Sequence, residues 1–111
     1  MFPKQVKLSL KNQNGLFLSA KKKHSSLFTM LYQESENPGL AVIVSKKISL
    51  KAVIRNLIKR RVFAALTSRA TIILEKKYAI VVRCKPAIVL ATYREIEHQL
   101  QHTFDEIFST L

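Results

Sequence analysis

What this 111-residue sequence lacks narrows it quickly. Cys84 is the only cysteine, which excludes an internal disulfide and a cysteine-based zinc site and suits a reducing cytoplasm. Two glycines and three prolines argue against a collagen-like chain, a linker or a low-complexity segment. No apolar run approaches the ~18 residues of a membrane span. The first ten residues hold no continuous apolar stretch of the kind a signal peptide needs. There is no P-loop, no dinucleotide-binding glycine pattern and no HExxH. Glu75, Glu95, Glu97, Asp105 and Glu106 show no spacing that pairs two carboxylates for acid–base work. Cys84 follows an apolar strand-like run, and no neighbouring His or Asp completes a nucleophilic arrangement. His98 and His102 lie four apart with Glu95 and Glu106 nearby, but no third ligand converges with them, so a surface role outweighs a metal site.

What remains is positive charge and enough apolar residues for one core. Apolar residues make up 48%, and 19 Lys and Arg against 7 Asp and Glu give a net charge of +12. The length supports a single domain over 1–111. The charge is segregated: residues 1–61 hold 13 Lys and Arg against Glu34 and Glu36, a net +11, while residues 62–111 hold six against five, a net +1. A solubilising surface needs no such segregation; a face that binds a polyanion does.

The patterning reads as alternating helices and strands. Leu8, Leu10, Leu16, Phe17 and Leu18 point to a short helix over 9–20, weakened by Asn and Gly, and Lys21, Lys22 and Lys23 mark an exposed connection. Residues 26–33 alternate as a strand, with Phe28, Met30 and Tyr32 on one face and Leu27, Thr29 and Leu31 on the other; Phe28 belongs to the core. A turn over 34–39 leads to the β-branched run 40–45, read as a central strand forming a hairpin with 26–33. Ser49 is placed as the N-cap of a helix reaching about Thr67. Its apolar arc comprises Val53, Ile54, Leu57, Ile58, Ala64 and Ala65, opposite Lys51, Arg55, Asn56, Lys59 and Arg60. Residues 71–76 fit a strand or a short helical turn, and 78–83 a buried strand. Thr92 and Glu95 form a capping box before a final helix with Tyr93, Ile96, Leu100, Phe104, Ile107 and Phe108 along one stripe.

The informative segment is 44–61, VSKKISLKAVIRNLIKRR, with seven Lys and Arg and no acid. Lys46 and Lys47 leave a strand end, and Lys51, Arg55 and Lys59 recur at i, i+4 and i+8, followed by Arg60 and Arg61. A helix holds such a row of cations stiffly, at a pitch of ~5.4 Å per turn, where it can track successive phosphates. Arg offers a planar fork and Lys a point charge. Asn56 can donate and accept toward a base edge or a 2′-hydroxyl. A solvated basic helix face would show the same spacing, so the pattern alone leaves both readings open.

VSKKI followed closely by AVIRNLIKR resembles the signature of the bacterial ribonuclease P protein component, with its V-S-K-K strand end and R-N-x-x-K-R helix. Residues 16–32 are similar to that family's helix-to-strand segment, 78–87 to its last strand and 100–104 to its closing helix. The resemblance implies an α+β fold, a single mixed four-stranded sheet with helices packed on it. That fold is ribosomal-protein-S5-domain-2-like, in αβββαβα order with a left-handed βαβ crossover. It also implies a monomeric cytoplasmic protein in a 1:1 ribonucleoprotein with the ribonuclease P RNA, which itself cuts the 5′ leader from precursor tRNA using Mg²⁺ held mainly by the RNA. Carried across residue by residue, the RNA-facing set is Lys46, Lys47, Arg55, Asn56, Lys59 and Arg60; the charge pattern adds Lys51 and Arg61. The leader-binding cleft of the family, between its first helix and the sheet, falls on Gln13, Phe17 and Leu31.

This sequence departs from the family at both places. Leu57 stands where the family usually has Arg, and Arg61 where it has an apolar residue; one turn apart, they share a helix face, so Arg61 is a candidate to supply the missing guanidinium. Alternatively, Arg61 snorkels from the apolar arc. Gln13 and Leu31 stand where the cleft carries aromatics, which stack bases at ~1–3 kcal/mol each. Two other classes fit the basic composition: a ribosomal or ribosome-associated RNA-binding protein without processing activity, and a membrane-surface protein. The helix's apolar arc has no Trp and fits a core better than a bilayer surface.

Overall fold

The computed structural model describes residues 20–109, so the expected helix over 9–20, with Gln13 and Phe17, lies outside the described residues except for Ala20. Four strands form one mixed sheet: β1 (Lys21–His24), β2 (Phe28–Glu34), β3 (Gly39–Ile43) and β4 (Tyr78–Cys84), in the spatial order β1-β2-β4-β3. Between β3 and β4 come α1 (Ala52–Ala65), a 3₁₀ turn (Thr67–Arg69) and α2 (Ala70–Lys76); a second 3₁₀ turn (Pro86–Leu90) leads from β4 to α3 (Tyr93–Ser109). The short segment over 71–76 is helical despite its β-branched residues, and it ends where Lys77 adopts a left-handed conformation, φ 55°.

The expected hairpin does not form. β4 lies between the two strands, antiparallel to β2 and parallel to β3, with Met30 opposite Val82 and Val42 opposite Val82. The reason lies in YAIVVRC itself: six of its seven side chains are buried, and a run apolar on both faces belongs in the sheet interior. β3 is therefore an edge strand, and its parallel pairing needs the helical crossover that α1 and α2 provide. Lys21, Lys22 and Lys23 are likewise not a connection but most of β1. Their side chains are exposed as expected, while pairing with β2 supplies the strand geometry, and lysines on an edge deter pairing with a further chain.

All three helices pack on one sheet face. Phe28 and Met30 of β2, Leu40 and Val42 of β3, and Ile80, Val82 and Cys84 of β4 meet Ile58 and Val62 of α1, Ile73 of α2 and Ile96, Leu100 and Phe104 of α3. The other face carries a smaller buried group, Leu31, Ala41, Ala79 and Val81, with Ala20 and Ile43 packed against it. Two polar ties fix the ends. The Ser35 N–H donates to the Lys77 carbonyl at 2.8 Å, joining the β2–β3 turn to the α2–β4 junction, and Lys85 Nζ donates to the Ser25 carbonyl at 2.6 Å.

Candidate nucleic-acid interface

The chain leaves β3 through buried Val44 and turns sharply, the Ile48 N–H reaching the Ser45 carbonyl at 3.0 Å. Ile48 packs against the core and leaves Lys46 and Lys47 exposed at the tip. Ser49 is not the helix N-cap. Its Oγ accepts the Lys51 N–H at 3.2 Å, and Lys51 takes the cap position without a side-chain cap bond, so α1 starts at Ala52 and closes at Ala65. Arg55 stiffens this approach by donating from Nη1 to the Ser49 carbonyl at 2.8 Å. A guanidinium carries five N–H donors, so this bond leaves most of the fork for other partners.

The helix is rotated from the expected arc. Its buried residues are Ile58, Val62 and Ala65, which at ~100° per residue cluster within roughly 60°. Val53 and Leu57, expected in the core, are 76% and 37% exposed, and Ala64 is exposed with them. Val62 is the reason: with Ile58 it completes an i, i+4 pair that pulls the buried stripe around the helix. Asn56 and Arg60 then crest the outer surface, while Arg55 and Lys59 lie half-buried along one flank and Arg61 along the other. The predicted cations therefore follow one continuous stretch, from the turn at Lys46 and Lys47 through the cap at Lys51 into α1, and not one narrow row.

Their surroundings contain no carboxylate competitor within 44–61. The ion pairs among the described residues lie elsewhere: Lys23–Glu106 at 3.2 Å, Arg69–Asp105 at 2.8 Å and His102–Glu106 at 3.1 Å. Cys84, at the end of β4, is buried and its thiol is pushed up to about 12 by desolvation, against a smaller opposing pull from Lys59. A thiol held neutral is no nucleophile. Among the described residues no group of three or more His, Cys, Asp or Glu converges; His98 and His102 stack with ring centroids 6.1 Å apart.

Leu31 is fully buried in the second-face group and presents no surface to a base. The same face carries residues that the sequence reading passed over. The strand register aligns His24, Thr29, Arg83 and Ile43 in one cross-sheet row, and Lys22 beside Leu31 in the next. His24 Nδ1 lies 3.1 Å from Thr29 Oγ1, and Arg83 is exposed. The signal was present: in 78–84, Ala79, Val81 and Arg83 share one side of a period-2 strand.

The sequence matches the family model for Ribonuclease P over residues 2–107. Among solved structures, the chain is similar to the Staphylococcus aureus RNase P protein, with 19% identity and a TM-score of 0.78 over 90% of this chain and 92% of that one. It is also similar to the Thermotoga maritima RNase P protein, with 21% identity and a TM-score of 0.75 over 86% and 92% of the two chains. The sheet with its helices is thus the fold of those proteins. Comparison with curated protein sequences gave no match.

Proposed function

The chain belongs to the family of the bacterial ribonuclease P protein component, and from that membership we propose that it grips the catalytic RNA through 44–61 and the 5′ leader of precursor tRNA over the second sheet face. The observation that carries the reading is the concentration of seven cations on one strand end and one helix, with no acid among them. Each phosphate neutralised there releases condensed counterions, so affinity should fall steeply with salt. Lys46, Lys47 and Lys51 stand exposed at the turn and the helix start; Arg55, Lys59, Arg60 and Arg61 continue the grip along α1. Lys22 and Arg83 rim the buried patch around Leu31 and would hold the leader's phosphates, with Gln13 and Phe17 as the expected contributors from before β1.

The division of labour follows from charge. A surface of Lys and Arg repels Mg²⁺, so the metal belongs to the RNA, and the protein's part is to screen phosphates that otherwise repel one another. Hydrolysis in this reading is the RNA's work, inside a cytoplasmic 1:1 ribonucleoprotein. The test is reconstitution with a bacterial ribonuclease P RNA at low Mg²⁺, scoring removal of the 5′ leader. Cleavage should rise on adding the protein. Tight binding to ribosomal RNA with no stimulation of cleavage would assign the chain to the ribosome instead. Within the interface, Arg61→Leu should weaken binding and flatten the salt dependence if Arg61 replaces the guanidinium missing at Leu57; an unchanged slope would mean that Arg61 only packs.

A further inference from the structure

Within the cationic segment lies an apolar strip that folding does not account for. Leu50 is 83% exposed, Val53 76% and Leu57 37%. Val53 and Leu57 sit within roughly 40° of each other around α1, and Leu50 lies just before the cap residue Lys51. A scattered exposed apolar side chain is ordinary. Three on the exposed side of one short basic stretch, whose Ile54 already packs against the core, are not, and Val at an exposed helix position also lowers helix propensity. Beside the strip, on the crest of the helix, stand Asn56 and Arg60.

We propose that Leu50, Val53 and Leu57 seat an unpaired nucleobase of the partner RNA, with Asn56 at the base edge and the neighbouring cations on its phosphates. This deepens the RNA-binding reading above and rests on it. The surroundings select the occupant. The rim demands an anion and the strip demands an apolar face, and single-stranded nucleic acid carries both in each nucleotide. Asn56 supplies a donor and an acceptor, which a base edge can satisfy. A second copy of this chain fits poorly, because symmetric docking would set seven cations against seven.

The test uses the ribonuclease P RNA alone, titrated over a series of salt concentrations with the wild type, a Val53→Ser, Leu57→Ser double variant and Lys59→Gln. Both substituted apolar residues face solvent, and equal thermal midpoints verify that the double variant folds. It should lose on the order of tenfold in affinity at every salt concentration. Its slope of log affinity against log salt should match the wild type, because an apolar contact releases no counterion. Lys59→Gln should instead lower that slope by about 0.7–0.9. An unpaired nucleotide protected from base-directed chemical modification by the wild type should become reactive with the double variant. Affinity within about twofold of wild type, or lost affinity with base protection unchanged, overturns the proposal and assigns the strip to a protein partner or to none. Failure of the wild type to bind the RNA would instead sink the functional reading beneath it.

Discussion

Helices α1 and α3 lie on the same sheet face yet are built to different ends. α3 is closed by Thr92, whose Oγ1 accepts the Glu95 N–H at 3.2 Å and whose hydroxyl lies 3.3 Å from Glu95 Oε1. Glu95 also places an acid in the first turn, where the helix dipole favours it. Its apolar residues Ile96, Leu100, Phe104 and Ile107 are all buried, and Phe108 stacks on Phe104 at 4.3 Å and meets Tyr78 edge-on at 5.2 Å. α1 has no side-chain cap and no acid in its first turn, and it carries Lys51 at the position where a cation opposes the dipole. Each such misplaced charge costs about 0.3–1 kcal/mol. The difference teaches where the demands of the fold stop: α3 caps itself and buries most of its stripe, whereas α1 leaves Val53, Leu57 and Arg60 exposed, which the fold itself does not require.

The largest effect should come from cutting into the self-satisfied helix. Phe104→Ala removes a fully buried ring and should cost about 3–5 kcal/mol in urea denaturation, while Val53→Ala on α1 should stay within about 0.5 kcal/mol. Similar costs for both would erase the contrast. RNA binding should sort the other way. Lys59→Gln with Arg60→Gln should lower the salt slope of RNA affinity by roughly 1.4–1.8 and leave stability nearly unchanged, whereas Arg94→Gln on α3 should leave the slope alone.

A sharper cut separates stability from binding in one residue. Lys51→Asp places a carboxylate at the extended N-cap, φ −83° and ψ 117°, where it can accept first-turn N–H groups. The variant should gain about 1 kcal/mol in stability while binding RNA more weakly. A stabilised variant that binds as well as wild type would show that Lys51 serves no partner.

The sequence made α3 legible and α1 only half so, for physical reasons. A capping box and an i, i+3/i+4 stripe are local signals, and every apolar residue they involve except Tyr93 and Phe108 is buried. In α1 the apolar residues cover more than half the circumference, so periodicity could not choose which ones the sheet would take; Val62 decided, and Val53 and Leu57 came out exposed. Strand identity was visible for 28–33 and 78–83, but pairing was not, because alternation sets faces and not neighbours. β1 was hidden for the opposite reason: three lysines advertise exposure, and an edge strand is exposed. The run of cations in 44–61 is a property of the sequence itself, since no acid interrupts it, and the structure adds only their exposure and their places around α1. Burial of Leu31 and the placement of Arg83 needed the register.

Two smaller predictions probe how α3 holds its own charges. Thr92→Ala should cost about 1 kcal/mol by opening the cap, read as a lower thermal midpoint. The smallest concerns Glu106, which holds Lys23 of β1 at 3.2 Å and lies 3.1 Å from His102. The hydrogen bond from Lys23, with its charge, holds the Glu106 carboxyl below the ordinary glutamate value. A carboxyl whose value is depressed on folding contributes stability above its unfolded value and loses it as the pH falls through the folded one. Wild type should therefore exceed Glu106→Gln slightly in thermal midpoint at about pH 7, and the gap should close by about pH 3. The pair is exposed, so added salt should narrow the gap as well. A gap that persists at low pH would mean that Glu106 acts through packing, leaving the bonds from Ser25 and Ser26, just after β1, to Gln99 as the polar tie between this edge and α3.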